Sequence, residues 1–217
     1  MRIIREAKYF DRGVTMSKEF KWRWLFFFGG LLVLSLGVTM TIKGKVFGTA
    51  PWDVLHIGLF KQFGLSIGTW SMIIGLLIIV ATSLYLRKWP RIATFFNMIG
   101  IGLFIDCFNW LLPNTSNNLF ELLYFIAGFF IMSIGVGLYI AADLGAGPRD
   151  TIMMIMASKG IPVRISRMIM EVFAAVLGYL LHGPVGVGTV VLALGSGYII
   201  QPSLFYFKGV LTRMLQS

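Results

Sequence analysis

The residues best placed to do chemistry in this chain form two matching segments, Gly48-Thr49-Ala50-Pro51-Trp52-Asp53 and Gly145-Ala146-Gly147-Pro148-Arg149-Asp150. In each, a glycine-led loop reaches a proline, and an aspartate follows two residues later. Proline suits the first position of a helix, where no N–H is needed. Asp53 and Asp150 then fall in the first helical turn, where the helix dipole favours negative charge. Gly48, Gly145 and Gly147 permit the tight approach, so Gly48, Pro51, Gly145, Gly147 and Pro148 form the structural motif. Each motif leads into an apolar stretch, 52–59 or 151–157, too short to cross a bilayer. The expected element is a half-helix that lies at the membrane face or dips in as a re-entrant segment. Dipping requires protein or a water-filled cavity around it. Two readings of the acids stand side by side. Either they only cap short interfacial helices, or both N-termini face a shared cavity whose free N–H groups favour an anionic or polar ligand group. On the second reading Asp53, Arg149 and Asp150 bind substrate. Arg149 then pairs with Asp150 or with the ligand, and Trp52 is an interfacial anchor.

Other polar residues inside apolar runs are few. Asp106 is set within one run, and an ionisable group there faces the protein interior or a water pathway, unless it simply reaches interfacial water. Gln201 occupies the corresponding place in the second half of the chain, so Asp106 and Gln201 are read as polar lining. Glu171 lies four residues after Arg167, the spacing of a helical ion pair. His56 and His182 are isolated, no metal-ligand spacing occurs, and no cofactor is implied. The Gly-x-Gly pairs at 100/102, 135/137 and 195/197 fall within apolar runs, where they permit close helix packing. No nucleophile–base constellation or Walker-type loop is present, so the expectation is that the protein is not an enzyme.

The elements that must position these residues follow from composition. Of 217 residues, 57% are hydrophobic and 13% charged, against roughly 25% charged in soluble domains. Such a chain cannot clothe a water-facing surface, and disorder is excluded. The formal charge of +10 does not imply nucleic acid, because position decides its meaning. The single Cys107 excludes an intrachain disulfide. Six stretches approach the length of about 20 apolar residues needed to span a bilayer: 24–42, 65–86, 92–112, 119–142, 168–181 and 185–207. The fifth is the weakest, being short and interrupted by Glu171.

Basic residues collect beside the cytoplasmic ends of spans. With six crossings and a cytoplasmic N-terminus, 16 of the 19 Lys and Arg residues fall on the cytoplasmic side; Lys43, Lys45 and Lys61 lie outside. Both termini are therefore expected in the cytoplasm. The basic lead 1–23 is not a secretory signal, since its apolar run continues to Ile42 without a small-residue cleavage site. It is either a helix on anionic lipid or a solvated tail. The membrane domain spans 24–208, with halves 24–112 and 119–208, followed by a cytoplasmic tail 209–217.

The halves resemble each other. Ser35-Leu36-Gly37-Val38 recurs as Ser133-Ile134-Gly135-Val136, 98 residues later, and the Pro-x-Asp motifs are 97 apart. Gly64-Leu65 recurs as Gly160-Ile161, and Thr94, Gly100 and Gly102 recur as Thr189, Gly195 and Gly197. Three spans per half is an odd number, so the halves must insert in opposite orientation. The expected fold is an all-α membrane protein with six transmembrane helices in a 3+3 inverted-topology repeat, an arrangement that in transporters places substrate near the bilayer midplane.

The segment from Gly48 through Asp53 to Leu59, together with Tyr139-Ile140-Ala141-Ala142-Asp143-Leu144 leading into the second motif, resembles the signatures of the YczE-like bacterial membrane proteins, relatives of the YitT group. The resemblance covers 31–207. It implies a multi-pass protein of the bacterial plasma membrane with largely unassigned activity, and it transfers no substrate and no catalytic residue. The leading functional expectation is a small-solute transporter or the substrate-binding membrane subunit of one. It would take a small polar or anionic solute, driven by an ion gradient or a partner protein. The alternative is a non-transporting accessory or regulatory protein. The expected partners are the lipid bilayer and either another membrane protein or further copies of the chain, with no nucleic acid.

Overall fold

A computed structural model describes residues 18–44, 47–114, 117–145, 147–161 and 163–216. The basic lead before residue 18 lies outside the described residues, as does Ala146 of the second motif. Among the described residues there are eight α-helices and no strand. In order they are α1 (Lys18–Lys43), α2 (Pro51–Phe63), α3 (Ile67–Leu86), α4 (Ile92–Leu111), α5 (Asn118–Ala141), α6 (Pro148–Ser158), α7 (Val163–Leu180) and α8 (Val187–Gln216).

Five of these, α1, α3, α4, α5 and α8, are long and apolar enough to cross a bilayer. The chain is thus an all-helical membrane protein. At a rise of 1.5 Å per residue, α2 and α6 measure about 20 Å and about 16 Å, well short of a hydrocarbon core of about 30 Å. The fifth expected crossing, 168–181, corresponds to α7, whose 18 residues fall outside that apolar group because Arg164, Arg167 and Glu171 interrupt them. Helix limits otherwise follow the apolar runs, with three extensions: α1 starts at Lys18, α7 starts at Val163, and α8 continues through Pro202 to Gln216. Local signals set several ends. Ser66 Oγ accepts from Thr69 N at the start of α3, and Asn117 Oδ1 accepts from Leu119 N at the start of α5. Arg87, in the left-handed region at φ 52°, closes α3.

α1 is the central helix, with Phe27, Leu31, Ser35 and Thr39 fully buried. It packs mainly on α5 and also on α4; α5 packs on α8, α3 on α4, and α2 on α7. Lipid-like surroundings give no hydrophobic drive between helices, so close approach depends on small residues. A Cβ at Gly37 would lie 2.2 Å from Met132 N, and one at Gly135 would lie 2.3 Å from Leu34 N. The same interface pairs Gly30 with Tyr139 and Gly128 with Thr41. As numbers rise along α1 they fall along α5, so the helices are antiparallel. Adding 98 to Gly30, Leu34, Gly37 and Thr41 gives Gly128, Met132, Gly135 and Tyr139. Each contact thus has a counterpart with the roles of the helices exchanged, the hallmark of a self-complementary interface.

Cations tie the ends of this core. Arg23 Nη1 donates to Ala142 O at 2.9 Å, just past α5. Lys43 Nζ donates to Asn109 O at 3.0 Å and to Asn114 Oδ1 at 2.7 Å, at the end of α4. Both positions oppose the negative end of a helix dipole.

Candidate functional site

The two glycine-led loops each seat a short helix against the start of a long one. Gly48 has φ +88°, and a Cβ there would meet Gly186 N at 2.5 Å. Thr49 N donates to Pro184 O at 3.4 Å, so the start of α2 is docked on the approach to α8. Correspondingly, a Cβ at Gly145 would meet Arg91 and Ala93 side chains at 3.4 Å, which puts the approach to α6 beside the start of α4. The first intrahelical bonds run from Val54 N to Ala50 O and from Thr151 N to Gly147 O. The amides of Trp52, Asp53, Arg149 and Asp150 precede them, as expected for the first turn of a helix.

Both N-termini open on one cavity of about 170 Å³, with Pro51, Trp52 and Asp53 on one side and Pro148, Arg149 and Asp150 on the other. Arg149 Cζ stands 4.6 Å from the centroid of the Trp52 ring. These residues occupy equivalent places in the two motifs, so the motifs meet through a cation–π contact. Arg149 Nη2 also lies 3.4 Å from His56 Nε2, and His56 Nδ1 lies 3.6 Å from Asp53 Oδ1. The latter exceeds a hydrogen-bond distance. His56 is fully buried one turn after Asp53 on the same face of α2. Tyr139 donates its hydroxyl to Asp150 Oδ2 at 2.6 Å. Among the described residues, Arg149 forms no ion pair within 4.0 Å with Asp53 or Asp150.

The rest of the lining is polar at a few points. Asn97 on α4 is 3% exposed, and its Nδ2 has no hydrogen-bond partner. It sits beside the α6 N-terminus, since a Cβ at Gly147 would meet Asn97 Oδ1 at 2.9 Å. Glu171 on α7 accepts from Arg167 Nε at 2.9 Å, the helical pair expected from their spacing, and both residues also line the cavity. Ser71 and Ser196 complete the polar set among apolar residues such as Leu34, Ile105 and Met132.

Of the candidate binding residues, Asp53, Arg149 and Asp150 therefore share one cavity, while Asp106 and Gln201 do not line it. Asp106 accepts from Gly68 N at 2.8 Å and from Ser66 Oγ. Its carboxylate satisfies the first turn of α3, where an anion is stabilised by the free N–H groups and the dipole. Gln201 is exposed on α8. Trp52, expected as an interfacial anchor, lies under Arg149 and lines the cavity. Sequence reasoning passed over His56, Asn97 and Tyr139. A signal existed for His56, whose i,i+3 spacing from Asp53 puts the two on one helix face. Asn97 and Tyr139 carry no local pattern that distinguishes a cavity-facing position from a lipid-facing one.

The family of unknown function DUF6198 matches residues 21–203. An uncharacterised membrane protein of Bacillus subtilis, YczE, is 44% identical over 190 residues, covering 87% of this chain and 88% of that protein. A second uncharacterised Bacillus subtilis protein, YyaS, is 27% identical over 184 residues, covering 82% of this chain and 90% of its own length. An uncharacterised protein of Haemophilus influenzae is 29% identical over 186 residues, covering 85% and 82%. No solved structure matches the chain.

Proposed function

The chain belongs to the YczE-like DUF6198 family, and we propose that it is a carrier for a small polar solute, or the solute-binding membrane subunit of one, in the bacterial plasma membrane. The reading includes six crossings, both termini in the cytoplasm and an inverted repeat of three crossings per half. It gives the protein no catalytic step.

One observation carries it: the N-termini of two half-helices, one from each half, open on the same cavity beside the central α1–α5 pair. Carriers with inverted repeats hold their solutes in such a place, with broken-helix N-termini aimed at polar groups of the ligand. Support for the repeat comes from the reciprocal α1–α5 contacts, because an antiparallel, self-complementary pairing is what two inverted copies produce about a shared axis. Support for α7 as a crossing comes from its two faces. Ile169, Val172, Phe173 and Val176 are exposed, while Glu171, Ala174 and Gly178 are buried. A helix of 18 residues measures about 27 Å, close to the hydrocarbon thickness. Its charged residues are tolerable because Arg167 and Glu171 face the cavity rather than lipid.

A carrier must expose the cavity to each side of the membrane in turn. Ser71 lines the cavity and is 7% exposed. With Cys107→Ala as background, a Ser71→Cys variant is expected to react with a membrane-impermeant thiol reagent both in intact cells and in inside-out vesicles. Reaction from one side only, in protein with wild-type expression, would favour the accessory reading.

A further inference from the structure

The cavity holds opposite charges, Arg149 and Asp53, that are not in direct contact with one another. Arg149 contributes a guanidinium whose polar neighbour within hydrogen-bond range, among the described residues, is the His56 ring at 3.4 Å. Asp53 is 4% exposed, and no described residue donates a hydrogen bond to its carboxylate. Leaving two such groups buried, with only the His56 ring between them among the described residues, is unfavourable unless something supplies further partners. Asn97 adds a buried amide donor with no partner, next to the free amides that open α6. Donors thus cluster at the α6 end of the cavity, and an unsatisfied acceptor stands at the α2 end.

Resting on the carrier reading, we infer that the solute is a small zwitterion, its carboxylate held by Arg149, Asn97 and the first-turn amides of α6, and its ammonium group held by Asp53. Charge balance argues against the simpler ligands. Three acids, Asp53, Asp150 and Glu171, line the cavity against two arginines, Arg149 and Arg167, so a net anion meets repulsion. A plain cation leaves the Asn97 amide and the Arg149 donors unmet. Asp150 is already engaged by the Tyr139 hydroxyl at 2.6 Å, which leaves Asp53 as the acid open to a ligand. Size agrees: about 170 Å³ lies below the range of about 300–1,000 Å³ typical of drug-sized ligands. The Trp52–Arg149 contact holds the guanidinium in place without consuming its N–H donors.

Thermal unfolding of the purified full-length protein in detergent tests this, because a ligand that binds only the folded state raises Tm. The probes are alanine, β-alanine and 4-aminobutyrate as zwitterions of increasing charge separation, with propionate and ethylamine as the two halves. At matched concentration, at least one zwitterion is expected to raise Tm while neither half does. Asp53→Asn and Asn97→Leu are each expected to weaken the apparent Kd of that zwitterion roughly tenfold or more, the loss of one charged or buried polar partner. The wild-type comparison stands alone if a variant folds poorly. A shift with propionate or with ethylamine as large as that with the zwitterions, or no shift with any of the probes, overturns the inference. The Ser71→Cys accessibility result separates the two claims: two-sided reactivity without zwitterion binding leaves a carrier of another solute class, and zwitterion binding with one-sided reactivity leaves a binding site without transport.

Discussion

Replacing Gly37 by alanine tests the central packing of the molecule. The added Cβ would lie 2.2 Å from Met132 N, 2.6 Å from Met132 Cα and 2.8 Å from Gly128 O. All three are backbone atoms, so no side chain can rotate away. Restoring an ordinary contact of 3.4 Å requires α1 and α5 to separate locally by about 1 Å. Overpacking of this kind costs about 1–3 kcal/mol. Gly135→Ala, whose Cβ would lie 2.3 Å from Leu34 N, should cost a similar amount, since it strains the same crossing from the other helix. One separation relieves both, so the double variant should cost clearly less than the sum of the singles. Gly29→Ala is the control, with nothing within 4 Å of its Cβ, and it should be neutral or stabilising, since Ala gains up to about 1 kcal/mol over Gly inside a helix. Equilibrium unfolding in mixed detergent micelles measures all four. If Gly37→Ala and Gly135→Ala cost as little as Gly29→Ala, or if the two costs simply added, the antiparallel register of α1 and α5 would be wrong.

Three further outcomes follow from the geometry. Tyr139→Phe removes the hydroxyl that donates to Asp150 at 2.6 Å and should destabilise the folded protein by about 1–3 kcal/mol, read in the same unfolding assay. Asp106→Ala strips the acceptor from Gly68 N and Ser66 Oγ at the start of α3; a loss of about 1 kcal/mol is expected, with solute uptake per folded molecule unchanged. Single cysteines placed at Asn114 and at Lys88 in the Cys107→Ala background should be alkylated from outside intact cells at the first position and not at the second; the reverse pattern would invert the orientation drawn from the basic residues.

Much of the scaffold can be read from residue types. Apolar runs interrupted by Gly64-Leu65-Ser66 and by Pro113 mark where helices stop, and the Gly-to-Pro-to-Asp order places the starts of α2 and α6. The 98-residue offset between Ser35-Leu36-Gly37-Val38 and Ser133-Ile134-Gly135-Val136 even identifies the glycines at the α1–α5 crossing, because close helix packing demands small residues at fixed spacing. What sequence does not convey is rotation. In a membrane both the lipid-facing and the protein-facing sides of a helix are apolar, so Asn97 and Tyr139 gave no sign of which way they point. Depth was misleading for Asp106 in the same manner: a carboxylate within an apolar run looks like cavity lining until the first turn of α3 arrives to be capped by it. Trp52 had the position of an interfacial anchor, and only the fold brings Arg149, 97 residues away, over its ring.

Uptake into proteoliposomes bears most directly on the carrier reading. Vesicles containing wild-type, Asp53→Asn or Asp150→Asn protein would be screened with radiolabelled small polar solutes, the zwitterions above among them. With wild-type protein, at least one solute should accumulate faster than in protein-free vesicles; Asp53→Asn should lower that rate by roughly tenfold or more, as loss of a charged partner at the cavity would, and Asp150→Asn, which weakens the Tyr139 contact beside the α6 N-terminus, should lower it less. No uptake of any solute by wild-type protein, or a rate untouched by both substitutions, would contradict a transport pathway between the two half-helix N-termini.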